Sequence, residues 1–539
     1  MADADNGAIE VSGIDRSEPE LSRRSHWANY VQRHAHEQPD RIALRFNGRA
    51  TTWQLLHERV AAIANAFYRR GVRPGDRVLI LMTNRPEYVA VMVAAHRLGA
   101  IAVPINFRLS ATEVGYIAAD TGGRLMVVDE GLMATADAAC VGELATITRL
   151  VVTESDETKP AAGVVTLAAA MREAGDDHPA FDVDENSAAV ILYTSGTTGR
   201  PKGAVLSHLN LFSQSVSHIR TTRIFGDDEV SLTAAPMFHI AALGAVGPML
   251  LIGGTTVLLP TGAFSAAALL DCVESERVTS MFLVPTQWQA VCAEPGVADR
   301  KLALRSISWG AAPASETLLR RMSEVFSDAQ NVAVFGQTEM SPVTCAMDGA
   351  DAVRKIGSVG KPISAVQVRI VDDQMRDVGV DEVGEIVYRG PGLMTGYWRN
   401  PAATAEAFEG GWFHSGDLVR RDSEGYIYVV DRKKDMLISG GENIYSAEVE
   451  NALAAHPDIA EVAVVGRPDE RWGEIPVAVI VARSGHVPTV ADLEQWCGDR
   501  LARYKRPKAV VGVDELPHNA SGKVLKAPLR ELVAQNATG

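Results

Sequence analysis

Short β-branched runs alternate with helical patterns through the first half of the chain, and this alternation narrows the fold more than any other feature. RVLILM (77–82), IAVPIN (101–106) and RLMVVD (124–129) are separated by stretches such as PEYVAVMVAAHRLGA. Such a pattern predicts parallel strands joined by crossover helices. It resumes with AAVILYTS, EVSLTAAP, TTVLLP, SMFLVPT and RSISWGA, each ending in Gly, Pro, Ser or Thr turn residues. Ligands of such sheets bind beyond the carboxyl ends of the strands, where these turns fall.

From about 355 the texture changes. AVQVRIVDD, GEIVYRG and GYIYVVD read as a small antiparallel, barrel-like unit. DRKKDMLISGGENIYSAEVENALAAHP follows as a charged connector, a short strand, a Gly-Gly turn and a helix. EVAVVGRPD, PVAVIVAR and two helical patterns complete the chain. The expected architecture is α/β. A large N-terminal domain of doubly wound sheets plus the barrel-like unit spans 1–430, and a small mobile α+β domain spans 432–539. VVDRKKD is the link, with a hinge at about Asp431.

The 539 residues are 47% hydrophobic and 22% charged, as in a soluble globular enzyme. A net charge of -15 without a Lys/Arg block argues against nucleic acid as a partner. Cys140, Cys272, Cys292, Cys345 and Cys497 show neither C-x-x-C nor zinc-site spacing, so reduced thiols in a cytoplasmic protein are expected. The acidic start, MADADNGAIEVSGIDRSEPELSRRSHW, lacks the basic and apolar parts of a signal peptide. Both long apolar stretches are interrupted, one by His96 and Arg97, the other by Gly247, Pro248 and Gly253-Gly254. Each reads as a buried helix followed by a strand rather than a bilayer span. Peripheral membrane contact and a homodimer stay open at this level.

YTSGTTGRPKG, Tyr193 to Gly203, is the densest motif. It is not the phosphate loop G-x-x-x-x-G-K-[ST], because Gly203 follows Lys202 where that motif has Ser or Thr. Its small residues still let the backbone N–H groups of Gly196 to Gly199 turn toward an anion. The hydroxyls of Thr194, Ser195, Thr197 and Thr198 add donors, and Lys202 adds a point charge. The bland alternative is a polar loop without a ligand. In FGQTEM, Thr338 suits a phosphate and Glu339 a Mg²⁺ ion, while Phe335 could stack on a base; a plain turn fits this short motif too. In GWFHSGDLVRRDSEGYIYVVDRKKD, Asp417 is placed in a Gly-bounded turn, where a carboxylate can accept two ribose hydroxyls. An Asx-turn is the alternative. Lys523, in PHNASGKVLK, would alone be an ordinary exposed lysine. There is no G-x-S-x-G, H-E-x-x-H or Walker A motif to suggest a triad hydrolase, a zinc protease or a P-loop NTPase.

In order and spacing, YTSGTTGRPKG, PMFH, FGQTE, GWFHSGDL, DRKKDMLISGGENIY and NASGK resemble the motif series of the adenylate-forming superfamily. That superfamily holds acyl-CoA synthetases, peptide-synthetase adenylation domains and beetle luciferases. The resemblance runs from about Trp27 to Lys526. It implies that the loop holds the phosphates of ATP while a carboxylate attacks the α-phosphorus; coenzyme A then takes the acyl group from the adenylate. It further implies that Lys523 bridges carboxylate and phosphate, that Thr338 and Glu339 hold phosphate and Mg²⁺, and that Asp417 and Arg432 hold the ribose. Gly310, Ala311, Ala312 and Phe335 would line the adenine slot, with Gly336 and Gln337 beside it. His239 would stand at the carboxylate end of the acyl pocket. ISGGENIYSAEVE is similar to the CoA-ligase form, with Lys434, Gly440, Gly441 and Glu442 on the cofactor side and two glycines leaving room for a pantetheine arm. Ser446 stands where many relatives have Pro. Since the lysine turn and the pantetheine arm need one space in turn, the small domain is expected to swivel.

The acid is less constrained. HIAALGAVGPML places Ala241, Ala242, Gly244, Ala245 and Gly247 after His239. Small apolar walls suit a medium- to long-chain fatty acid, the first expectation, but close helix packing explains them equally. An aryl, aryl-propenoic or steroid-derived acid is the alternative, and a degenerate binding protein the other class.

Overall fold

The computed structural model describes residues 25–153, 164–175, 181–194, 201–224, 226, 228–312, 314–440, 442–483, 485–498, 500–518 and 524–535. Among these, the first sheet has seven strands, in the order Gly396–Tyr397, Lys202–Ser207, Ala188–Thr194, Ile101–Pro104, Arg77–Leu81, Leu125–Asp129, Thr148–Val152. Its interior is parallel: Val78 pairs with Ala102 on one side and Leu125 on the other. Leu125–Asp129 is buried along its whole length. Strands covered on both faces read as unbroken apolar runs, which is why these were legible. The helix Pro86–Arg97 starts with Pro in its first turn and buries every residue from Tyr88 to His96, as a core helix should. Ser110 and Glu113 form a capping box that starts the helix Ala111–Thr121.

The second sheet has thirteen strands among the described residues. Its parallel part joins Val230–Thr233, Thr255–Leu258, Ser280–Leu283, Ser306–Gly310 and Gln330–Gly336. The antiparallel unit expected after 355 is continuous with this sheet. Ser358–Pro362 pairs with Val343–Met347 on one edge and Ile427–Arg432 on the other, and Phe413–Arg421, Gly384–Arg389 and Gln367–Val371 extend it. Gly360 permits the junction, since a Cβ there would lie 2.0 Å from the Ala346 carbonyl oxygen.

The last part is a five-stranded sheet with the helices Ser446–Ala454, Val490–Cys497 and Lys526–Gln535. Its two apolar clusters begin at Leu437, whereas those of the two large sheets end by Tyr428. No described helix is long and apolar enough to cross a membrane. All five cysteines are free.

Candidate active site

Ala188–Thr194 and Lys202–Ser207 form a hairpin in which Tyr193 pairs with Gly203 and Thr194 with Lys202, so both ends of the YTSGTTGRPKG motif are strand residues. Ser195, Gly196, Thr197, Thr198 and Gly199 lie outside the described residues. The stem is held on both sides. The Tyr193 hydroxyl donates to Asp120, and the Tyr116 hydroxyl donates to the Pro201 carbonyl at 3.2 Å. Burial first, then Asp120, raises the Tyr193 pKa.

Glu339 lies against this stem in the single turn Thr338–Met340, which follows the strand Gln330–Gly336. The residue is buried, 8% exposed. It accepts from the Tyr397 hydroxyl at 3.0 Å and makes a long 3.5 Å contact with Thr194 Oγ1. Lys202 Nζ stands 5.2 Å from the centroid of the Tyr397 ring. Burial and Glu339 raise the Tyr397 pKa, so its hydroxyl stays a donor. Among the described residues no cation forms an ion pair with Glu339. A buried carboxylate contacted by neutral hydroxyls has lone pairs left over for a hard cation. No group of three metal-ligating side chains occurs among the described residues. Mg²⁺ is commonly held through one or two carboxylates together with phosphates and water.

Ser306–Gly310 and Gln330–Gly336 are parallel neighbours with Gly310 opposite Val334, so Gly310 and Phe335 come side by side at the strand ends. Side chains are excluded there: a Cβ on Gly310 would lie 2.3 Å from the Val334 carbonyl oxygen, and one on Gly336 1.8 Å from that of Pro342. Ala311 takes a φ of 66°, and both Ala311 and Ala312 are exposed beyond the strand. Gln337 Nε2 is buried without a partner among the described residues.

Asp417 corrects an expectation. It lies within the strand Phe413–Arg421, not in a turn, and is 2% exposed. Gly416 has the positive φ of a turn residue, 71°, but the strand pairs on through a bulge between Leu418 and Val419. Arg432 lies opposite on the neighbouring strand, with its Nε 2.6 Å from Asp417 Oδ1. The two residues expected on the ribose are thus first of all each other's partner.

His239 precedes the helix Ile240–Ile252. Its ring meets Phe238 edge-on, and Phe238 meets Phe107 at 5.5 Å. Burial lowers its pKa, so the imidazole is neutral at pH 7.

Leu437–Ser439 and Glu442–Ile444 form a hairpin with Gly440 at its tip, exposed like Glu442. The Gly440 N–H donates to the Trp472 carbonyl at 2.8 Å, and a Cβ there would press on the Trp472 ring at 2.8 Å. Lys434 is exposed, and its carbonyl accepts from Arg530. Gly441 and Lys523 lie outside the described residues.

The structure therefore brings Thr194, Lys202 and Glu339 together, pairs Asp417 with Arg432, and aligns Gly310 with Phe335. Sequence reasoning missed Tyr397, whose two-residue strand Gly396–Tyr397 pairs with Val205 and Ala204. Its only signal was an aromatic pair after a glycine. It also missed what Ser446 does: that residue gives the buried Asp431 carboxylate both an N–H and a hydroxyl donor. Proline would offer neither.

A hairpin stem carrying Thr194 and Lys202, the buried Glu339 against it and Gly310 beside Phe335 at adjacent strand ends bring together residue types that nucleotide-activating enzymes use. Residues 31–398 match the family model described as AMP-binding enzyme, and residues 448–523 match its C-terminal domain model. The chain is 41% identical over 500 residues to a feruloyl-CoA synthase of an Amycolatopsis species, spanning 92% of this chain and 97% of that one. It is 36% identical over 494 residues to a long-chain-fatty-acid–CoA ligase of Mycobacterium tuberculosis, spanning 89% and 94%. The solved o-succinylbenzoate CoA synthetase of Bacillus subtilis, bound to its acyl-adenylate, superposes with a TM-score of 0.81 at 30% identity, covering 94% of this chain and 97% of that one. The same enzyme has been solved with ATP and magnesium. The chain belongs to the AMP-binding enzyme family, among its ATP-dependent, AMP-forming CoA ligases.

Proposed function

We propose that the protein activates an aromatic carboxylic acid, of the aryl or aryl-propenoic class, as its adenylate and passes the acyl group to coenzyme A. The packing of the helix Ile240–Ile252 carries the choice of acid. A Cβ on Gly244 would meet Pro342 at 3.4 Å and Gln214 at 3.7 Å; one on Gly247 would meet Ser215 at 2.8 Å and Trp27 at 3.3 Å. Close helix packing thus accounts for Gly247, whereas a Cβ on Gly244 would make only ordinary contacts; the filled space at Gly247 favours a compact acid over a long alkyl chain. The higher identity to the feruloyl-CoA synthase, 41% against 36% for the fatty-acid ligase, supports the same choice.

In the first step a carboxylate oxygen attacks the α-phosphorus of ATP and the bond to pyrophosphate breaks. Two anions must meet, so the chain has to supply fixed donors and positive charge. The loop Thr194 to Gly199 and Lys202 receive the phosphates, and Thr338 adds a hydroxyl. Mg²⁺, when bound at Glu339, neutralises phosphate charge. Tyr397 and Thr194 hold Glu339 in place for that role. Lys523 bridges carboxylate and α-phosphate. His239, being neutral, borders the carboxylate without competing for it as a second cation. Asp417, oriented by Arg432, accepts from the ribose.

In the second step the thiol sulfur of coenzyme A attacks the acyl carbon, and AMP leaves with the electrons of the carbon–oxygen bond. The domain 432–539 turns about Asp431 between the steps, exchanging Lys523 for the hairpin end that carries Gly440. Separate apolar clusters on either side of the link support that division.

The test is a panel of benzoic, phenylpropenoic, octanoic and hexadecanoic acids with ATP, Mg²⁺ and coenzyme A. The proposal expects at least one aromatic acid to exceed every alkyl acid in kcat/KM by roughly tenfold or more. The reverse order would return the assignment to a fatty acid.

A further inference from the structure

Asn84 lies between the strand Arg77–Leu81 of the first sheet and the helix Pro86–Arg97, and it is 2% exposed. Its side chain crosses to a segment of the second sheet. Nδ2 donates to the Ala235 carbonyl at 2.9 Å, and Oδ1 accepts from the Met237 N–H at 2.8 Å. One amide thus matches a backbone carbonyl and a backbone N–H on either side of Pro236, as a neighbouring peptide group would. Only one orientation of the amide satisfies both.

The segment it holds leads to His239. Residues 235–239 continue from the strand Val230–Thr233. The His239 N–H donates to the Pro236 carbonyl at 2.9 Å, and the His239 carbonyl accepts from the Ala242 N–H at 3.0 Å as the helix Ile240–Ile252 begins. Phe238 is buried and meets Phe107 edge-on, and Phe107 follows the strand Ile101–Pro104. Two strand ends of the first sheet, through Asn84 and Phe107, therefore grip the segment that carries His239 out of the second.

Asn84 is itself fixed at both flanks. Thr83 donates its N–H at 2.7 Å and its hydroxyl at 2.6 Å to Asp129 Oδ2. Arg85 donates to Asp129 Oδ1 at 3.2 Å and to the Thr153 carbonyl at 2.9 Å. Asp129 is buried at the end of the strand Leu125–Asp129. A short side chain rooted this firmly passes its position on to whatever it binds.

We propose that Asn84 is a positioning residue for adenylation: by holding both sides of Pro236 it sets where the His239 imidazole stands beside the carboxylate of the acid. This rests on the place given to His239 in the reading above, and not on the class of acid.

The experiment follows hydroxamate formation without coenzyme A, using the panel acid of highest kcat/KM. It compares the wild type, Asn84→Ala, His239→Ala and the double variant at a temperature where melting curves find each folded. Asn84→Ala should lower kcat/KM for the acid by about tenfold or more, since a small displacement at the reacting groups is enough. The loss should come through KM for the acid, with KM for ATP within about twofold of wild type. In the His239→Ala background the same change should cost less than about twofold, because the group it positions is gone. Asn84→Asp keeps the shape and the bond from Met237 and loses the donor to Ala235. It should follow the same pattern, and it carries the test where Asn84→Ala does not fold. An equal loss in both backgrounds overturns the assignment and makes Asn84 a general support of the fold. Full activity of Asn84→Ala overturns it too, as does a rise in KM for ATP equal to that for the acid. If His239→Ala alone leaves KM for the acid unchanged, the place of His239 is what fails, and this inference with it.

Discussion

Ser446 donates its backbone N–H and its hydroxyl to one buried carboxylate, that of Asp431, with Oγ 3.0 Å from Oδ2. Lys526 completes the arrangement. Its Nζ donates to Ser446 Oγ at 2.6 Å and stands 2.8 Å from Glu450 Oε1. Burial raises the pKa of both carboxylates, and Lys526 opposes it. The proposed hinge residue therefore carries two separable properties, a backbone that turns and a side chain that anchors the following helix.

Two substitutions at Asp431 should separate those properties. Asp431→Ala removes the anchor but leaves the backbone free; Asp431→Pro also fixes φ near -65°. Asp431→Ala should lower the thermal midpoint yet support both half-reactions. Asp431→Pro should retain pyrophosphate release and lose thioester formation from supplied acyl-adenylate. Lys523→Ala should do the opposite, slowing adenylation on the order of 10²–10³ and sparing the transfer. Equal slowing of both halves by Lys523→Ala would count against the swivel.

Glu339 and Tyr397 should act as one unit. Glu339→Gln removes the charge that holds Mg²⁺ and should reduce adenylation on the order of 10²–10³. Tyr397→Phe removes one hydrogen bond, worth about 1 kcal/mol, so its rate should fall several-fold with a higher Mg²⁺ requirement. Unchanged Mg²⁺ dependence in Tyr397→Phe would show that the hydroxyl does not position the carboxylate. Pyrophosphate release against Mg²⁺ concentration reads both.

Gly247→Val tests whether the small residues after His239 are there for packing. A side chain at 247 meets Ser215 Oγ at 2.8 Å and the Trp27 ring at 3.3 Å. It should cost about 1–3 kcal/mol of stability, seen as a lower thermal midpoint, without changing the order of preferred acids. A shortened alkyl preference at unchanged stability would restore the tunnel.

The chemistry of the site was legible where it is local. Thr194, Lys202 and Glu339 stand out because hydroxyls, a lysine and a carboxylate at strand ends suit a nucleotide, and their strands announced themselves by apolar runs. Tyr397 was not legible, since its meaning comes from pairing with Ala204 and reaching Glu339. Asp417 was misplaced because Ser-Gly-Asp has turn chemistry, and only the partner strand carrying Arg432 draws it into the sheet. Gly247 was ambiguous for a physical reason: a missing side chain serves an empty channel and a tight helix contact equally well.

A buried imidazole group beneath the sheet sets an acid limit. His96 and His208 meet with ring centroids 4.8 Å apart, His26 lies 5.4 Å from His208, and His96 Nε2 donates to the Ala189 carbonyl at 3.1 Å. Burial pushes the His96 pKa down to about 3 and holds His208 well below the usual range. The folded state thus favours the neutral form. Its stability is fully present above the unfolded value of 6.5 and is lost as pH falls from there toward about 3. The loss should be about 1.4 kcal/mol per pH unit for one such histidine. His96→Gln, which can keep the bond to Ala189, should flatten the fall in thermal midpoint between pH 7 and 5 (a range set by the unfolded value). An unchanged slope would assign the acid sensitivity elsewhere.

The central claim is that the acid is activated as an adenylate before coenzyme A takes part. The most direct measurement incubates the protein with ATP, Mg²⁺, an aromatic acid and hydroxylamine, without coenzyme A, then adds coenzyme A in a parallel reaction. Acyl-hydroxamate and pyrophosphate are expected in equal amounts in the first reaction, and AMP with thioester in the second. ADP and inorganic phosphate, or no hydroxamate until coenzyme A is present, would contradict it.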